Sequence, residues 1–231
     1  MVTFVLVHGS WHGGWCWKRL APLLRAEGRD VYAPTLTGMG ERAHAAPAEI
    51  RLATHVDDIL RLLLFEDLHE VVLVGHSYAG MVITGVAARD ATRLRALVYL
   101  DAYLPEPGEC ELDLWPPAEA ASARADLAAG RMVRPKLPAE AFGLQGVDAA
   151  WAEVRLTPQP LSVYLDPATR APLAPIPARF IHCAEGRWAA RFATFAARAR
   201  ARGWPVEELA TGHDAMLTMP DALAKLLLRA A

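Results

Sequence analysis

The sequence predicts an α/β fold in which a mostly parallel sheet of about six strands is flanked by helices and interrupted once by a small helical insertion. Three observations carry this. Short β-branched runs alternate with longer segments of helical period, the pattern that crossover connections produce. The strand runs are apolar throughout, as in a sheet covered on both faces. The alternation stops between residues 104 and 177, a stretch that holds most of the chain's 17 prolines.

Strands are predicted over residues 3–8, 30–33, 70–74, 94–100, 178–183 and 206–209, and helices over 17–27, 56–65, 79–89, 191–202 and from 221 to the end. The second helix reads as capped by Thr54, with Asp57 and Asp58 in its first turn. A structureless loop of more than 70 residues is implausible in a compact domain, so 104–177 reads as a helical cap with one helical piece near 118–127. Residues 1–103 and 178–231 then form the core of a single compact domain.

The chain has 231 residues, 53% of them hydrophobic and 22% charged, enough to build a core without metal or disulfide. Its 24 Lys+Arg against 26 Asp+Glu leave −2, with no basic stripe to track nucleic acid. Cys16, Cys110 and Cys183 lie far apart and outside metal-binding spacing, which reads as reduced thiols in a cytoplasm. No export signal or apolar run of about 20 residues is visible, so neither secretion nor a membrane span is expected. The oligomeric state stays open between monomer and homodimer.

The chemistry is carried by Gly75-His76-Ser77-Tyr78-Ala79-Gly80. The apolar run 71–74 precedes it and a helical pattern follows, which is the setting of a nucleophile elbow. Small residues at 75, 79 and 80 let the backbone turn tightly and leave the Ser77 hydroxyl free above the sheet edge. Ala79 stands where the motif has glycine, a departure of one methyl. The first strand runs into His8-Gly9-Ser10-Trp11-His12-Gly13-Gly14-Trp15, a loop able to offer a backbone donor. An oxyanion intermediate needs two donors, assigned to the amides of Ser10 and Tyr78. His213, in Thr211-Gly212-His213-Asp214 between the last strand and the terminal helix, sits where the general base belongs in chain order. His8 and His12 do not, and read as structural hydrogen-bonding groups.

With the HGSWHGGWCW loop, the THVDDILRLLLFEDLHEVVLVGHSYAG block, the LTPQPL segment and the TGHDAM loop in view, the chain resembles a bacterial member of the plant methylesterase and hydroxynitrile lyase group of α/β-hydrolases, the salicylate-binding-protein-like family. The resemblance implies an α/β-hydrolase fold lacking the outermost strands of larger relatives, a helical cap inserted after the sixth-strand position, and no cofactor. It also implies a triad acid. Plant relatives place an Asp after the strand matching 179–183, where this chain has only Glu185, while other α/β-hydrolases take the acid from the strand end occupied here by Asp101. Asp101 is preferred for its short side chain on a rigid strand end, with Glu185 as the alternative.

The reaction expected is hydrolysis of a small, apolar or aromatic carboxylic ester through an acyl-enzyme. Trp11, Leu112, Trp115, Phe142, Leu144, Trp151 and Tyr164 are the expected pocket residues. Alternatives are a hydroxynitrile lyase, a biosynthetic tailoring hydrolase or cyclase, and a non-catalytic small-molecule binding protein. Family lyases carry a hydroxyl residue where Gly9 stands and a lysine beside the catalytic histidine, where this chain has Asp214.

Overall fold

The computed structural model describes residues 2–45, 47–171 and 173–230. The chain runs β1 (Thr3–Val7), α1 (Leu20–Ala26), β2 (Asp30–Tyr32), α2 (Leu52–Phe65), β3 (Val71–His76), α3 (Ala79–Arg89) and β4 (Leu94–Leu100). The insertion follows with α4 (Pro117–Ala128), β5 (Val133–Arg134), α5 (Gly146–Glu153) and β6 (Gln159–Pro160). The chain returns through β7 (Ala178–Cys183), α6 (Ala189–Ala201), β8 (Val206–Leu209), α7 (Ala215–Thr218) and α8 (Pro220–Leu228). Six strands form one parallel sheet in the order β2-β1-β3-β4-β7-β8, and β5 and β6 pair separately as a short antiparallel ladder.

Alternate residues of each central strand feed opposite faces. Val5, Val7, Val71, Leu73, Leu97 and Tyr99 pack with α2, α3 and α6, whereas Phe4, Leu6, Val72, Val74, Val98 and Leu100 pack with α1 and α8. Every residue of β3 is buried, which is why the run lacks polar alternation. Each such aliphatic side chain contributes roughly 1.5–3 kcal/mol by leaving water. The strand order reverses between β1 and β3, so the loops leaving their carboxyl ends splay apart and open a crevice. Ser10 and Ser77 lie on those two loops.

The predicted strands agree with the observed ones to within two residues. The helix limits differ more. Thr54 does not cap α2, which begins a turn earlier: Arg51 is the cap residue, and the Thr54 hydroxyl accepts its amide hydrogen bond at 3.1 Å from inside the first turn. Asp57 and Asp58 therefore fall past that turn. Asp58 accepts from the Thr37 amide and hydroxyl at 2.7 and 2.8 Å, and Asp57 pairs with Arg89. The short α7 was not expected, α8 ends at Leu228, and the last residue of the predicted helix, Ala231, lies outside the described residues.

The insertion is stitched to the loop after β1. The Trp11 amide donates to Gln159 Oε1 (3.3 Å) and its indole to the Pro135 carbonyl (3.0 Å), while the Thr157 amide donates to the Trp11 carbonyl (2.9 Å). Ser10 Oγ and the Tyr164 hydroxyl share a hydrogen bond of 2.9 Å. No helix among the described residues is long and apolar enough to cross a membrane.

Candidate active site

Ser77 occupies the left-handed region at φ 55°, held by its amide on the Leu100 carbonyl (3.2 Å) and its carbonyl on the Tyr103 amide (3.1 Å). Non-glycine residues rarely adopt this conformation, and strain of about 1–3 kcal/mol at such a position is a mark of functional turns. The neighbouring glycines are required by contact. A Cβ on Gly75 would stand 2.7 Å from the Ala79 carbonyl oxygen, and one on Gly80 would stand 1.9 Å from that of Tyr103. Ala79, the first residue of α3, is buried and carries its methyl there.

Asp101, one residue past β4, also has positive φ (41°) and is 1% exposed. Its Oδ2 accepts from His213 Nδ1 at 2.6 Å, and its Oδ1 accepts from the Cys183 amide and His182 Nδ1, both at 3.0 Å. Glu185 is exposed and, among the described residues, is bound only through its amide, to the Thr211 carbonyl. With Nδ1–H given to Asp101, the neutral His213 ring carries its lone pair on Nε2. The ring is clamped by Phe192, stacked at 4.8 Å, and by the edge of Trp188, also at 4.8 Å.

Ser77 and His213 line one cavity of about 200 Å³ together with Ser10, Trp11, Trp115 and Tyr164. No bond joins the Ser77 hydroxyl to His213 in this structure, and such contacts commonly tighten only when substrate binds. The amides of Ser10 and Tyr78 are not taken up by other groups among the described residues.

Four expected pocket residues lie elsewhere. Phe142 packs edge-on against His12 at 4.8 Å and tilted against Trp188 at 5.2 Å, behind the cavity wall. Trp151 meets Trp15 at 5.3 Å and carries Arg155 on its face. Leu112 and Leu144 are each 1% exposed and belong to the packed core. Bulky apolar residues in an insertion serve packing as readily as a pocket, and their spacing does not separate the two uses.

In their place the cavity has polar walls: Tyr103, Glu111, Glu119, Arg134, Arg187 and Arg191. Arg134 lies over the Trp115 ring at 4.2 Å and Trp11 at 5.3 Å. Glu111 is 2% exposed, with Oε1 accepting from the Trp115 indole at 3.1 Å and Oε2 without a partner among the described residues. Burial raises its pKa to about 8, against the pull of the Trp115 hydrogen bond and of Arg134 and Arg191.

Behind the site stands a buried histidine cluster. His8 donates to the Gly9 carbonyl (2.8 Å) and accepts from the Leu36 amide (3.0 Å), the structural role expected of it. His12 reaches the Ser10 carbonyl (2.7 Å) and Asp214 Oδ2 (2.9 Å), tying the loop after β1 to the loop that carries His213. Burial works to lower the His12 pKa, but the Asp214 charge and hydrogen bond and the Ser10 carbonyl outweigh it and raise the value. His76 Nε2 donates to the His213 carbonyl at 3.1 Å. The sequence marks Asp214 only by its place beside His213, and Glu111 only by an acid in a proline-rich stretch.

Burial pulls three histidines down: His8 to about 3, His55 to about 4, and His76 well below the ordinary value. The unfolded chain binds their protons near pH 6.5 while the fold refuses them, so their stability is present above that pH and is lost as pH falls toward the folded values. Glu111 opposes them, because the fold keeps its proton where the unfolded chain has released it. About two protons net are therefore expected to be taken up on unfolding near pH 5, so stability is expected to fall by about 3 kcal/mol per pH unit of acidification there. Thermal melting between pH 7 and 4.5 measures this, and a flat profile would contradict neutral buried histidines.

Comparison with known proteins agrees with this architecture. A family model described as "Alpha/beta hydrolase family" matches residues 4–226. The chain is 40% identical over 239 residues to a carbendazim hydrolyzing esterase of Nocardioides sp. (strain SG-4G), covering 98% of each. It is 35% identical over 105 residues to Methylesterase 1 of Arabidopsis thaliana, a match spanning 45% of this chain and 40% of that protein. An extracellular alpha/beta-hydrolase from a Paenibacillus species has the same fold, with TM-score 0.83, 23% identity and coverage of 100% and 99% of the two chains. The chain therefore belongs to the alpha/beta hydrolase family.

Proposed function

We propose that the protein is a serine esterase that hydrolyses a small carboxylic ester through a Ser77–His213–Asp101 triad and an acyl-enzyme. The observation that carries this reading is the 2.6 Å contact of Asp101 with His213 Nδ1, which leaves Nε2 as the basic nitrogen of a ring sharing a cavity with Ser77. In the reading, His213 takes the Ser77 proton, Ser77 attacks the ester carbonyl, and the alcohol leaves with the proton returned by His213. Water then cleaves the acyl-enzyme by the same route. The Ser10 and Tyr78 amides hold the oxyanion, the second of them at the amino end of α3, whose dipole favours negative charge.

The site is buried among aromatic rings, and its volume suits a small aromatic or apolar ester. The Nocardioides relative acts on carbendazim by its name, which makes carbendazim a substrate to test here. The free, buried Cys16, Cys110 and Cys183 support a reducing, cytoplasmic setting. Two observations speak against cyanohydrin cleavage. A Cβ at Gly9 would stand 2.8 Å from Ser77 Cβ, leaving no room for a hydroxyl residue on this backbone, and Asp214, in the lysine's place, is committed to His12.

A panel of methyl and aryl esters with carbendazim tests the reading. Turnover of at least one ester, faster than cyanide release from mandelonitrile, is expected. Binding without turnover or covalent labelling by a fluorophosphonate would instead make the protein a small-molecule receptor.

A further inference from the structure

The esterase reading leaves Glu111 without a task, although it is a buried acid in the wall of the reaction cavity. A buried carboxyl oxygen without a partner keeps its full desolvation penalty, and native folds retain few of them. Its other oxygen is pinned by the Trp115 indole, so the free Oε2 is held in a fixed place.

We propose that Glu111 determines substrate specificity: its Oε2 donates a hydrogen bond to an acceptor atom, of the kind an aromatic ring nitrogen offers, in the non-reacting part of the ester. The proposal rests on the esterase reading and names the substrate class, nitrogen-heteroaromatic esters. Donation requires the neutral acid, and burial keeps Glu111 neutral at pH 7 by raising its pKa to about 8. Its surroundings hold their charge states across that range. Arg134 of β5 and Arg191 of α6 both act on Glu111 by their positive charge, and Arg191 is paired with Glu119 of α4 at 2.7 Å. Tyr78, Tyr103 and Tyr164 are pushed above their ordinary value chiefly by burial and stay neutral, as does the adjacent Cys110 thiol, which burial also raises. A hydrophobic wall would accept benzene and pyridine rings about equally, whereas a wall holding a buried donor rejects the ring that leaves it unpaired.

The test is steady-state hydrolysis of methyl benzoate and the three isomeric methyl pyridinecarboxylates by the full chain, as wild type, Glu111→Gln and Glu111→Leu. Comparing each pyridine-to-benzoate ratio of kcat/KM with that in Glu111→Leu cancels the intrinsic reactivity of the esters. At least one isomer is expected to gain about tenfold or more at pH 7, mostly through KM. In wild type that isomer's pyridine-to-benzoate ratio should itself fall by about the same factor between pH 7 and 9.5, with a midpoint near 8. Glutamine keeps an oxygen for Trp115 and an N–H donor for the ring, so Glu111→Gln should keep the gain at every pH. That pH arm does not depend on the leucine variant folding.

A gain in no isomer, or one that grows above pH 8, overturns the assignment, the second because it makes the ionised carboxylate an acceptor. Ser77-dependent turnover of methyl benzoate without any pyridine gain removes only the role of Glu111. Absence of Ser77-dependent turnover of every ester removes both readings.

Discussion

Ser77→Ala is expected to lower kcat for the preferred ester by roughly 10⁴- to 10⁶-fold and to abolish labelling by a fluorophosphonate probe. The size follows from the division of labour. Without Oγ no acyl-enzyme forms, and what remains is water attack assisted by binding and by the oxyanion donors. The loss can be read as chemistry because the substitution is structurally mild. Ser77 is fixed by backbone bonds to Leu100 and Tyr103, and its side chain makes none among the described residues. Alanine keeps those bonds and adds no atom near Gly9, whose Cβ position lies 2.8 Å from Ser77 Cβ. Melting temperature and circular dichroism should therefore stay at wild-type values. An alanine variant that kept more than a hundredth of the activity would show that the ester is cleaved elsewhere.

The elbow was legible because three local signals coincide there: an apolar run, small residues around a serine, and a helical period restarting at once. For the acid the sequence only ranks Asp101 above Glu185, because the choice between them depends on the meeting of two strand ends. β4 and β7 are neighbours with Leu100 opposite Ile181, so Asp101 and Glu185 both leave the same sheet edge. The deciding features are the left-handed backbone of Asp101 and the donors from Cys183 and His182, all set by tertiary contact. The start of α2 differs from the sequence expectation for a related reason: Thr54 is a good capping residue, and it satisfies a backbone amide at the helix start, but from a position inside the helix. No periodicity assigns the apolar residues of the loop after β1 or of the insertion to wall or core, so Trp11, Trp115 and Tyr164 meet the cavity while Phe142 and Trp151 do not. Glu111 carries no signal in the sequence because an acid in such a stretch is usually solvated, and only burial makes it exceptional.

Asp101→Asn should cost about 10⁴ in kcat, the scale seen when a triad acid becomes an amide, while Glu185→Gln stays within about twofold of wild type. The geometry fixes the sign. The Cys183 amide and His182 Nδ1 both donate toward Oδ1, so in asparagine that position selects the amide oxygen and turns the NH₂ group toward His213. Facing a donor, His213 Nδ1 must become the acceptor, which moves the ring proton to Nε2 and leaves no lone pair for the Ser77 proton. Asparagine also tolerates the positive φ of position 101, so the strand end need not rearrange. Glu185 is exposed and, among the described residues, bound only through its backbone, so loss of its charge reaches neither ring nor loop. Rates and melting temperatures of both variants, with ring-nitrogen NMR to read the His213 tautomer in Asp101→Asn, check each step. A loss below tenfold at Asp101, or a comparable loss at Glu185, would move the acid to another carboxylate, whereas a 10⁴-fold loss with Nε2 protonated would tie the rate to the tautomer that Asp101 imposes.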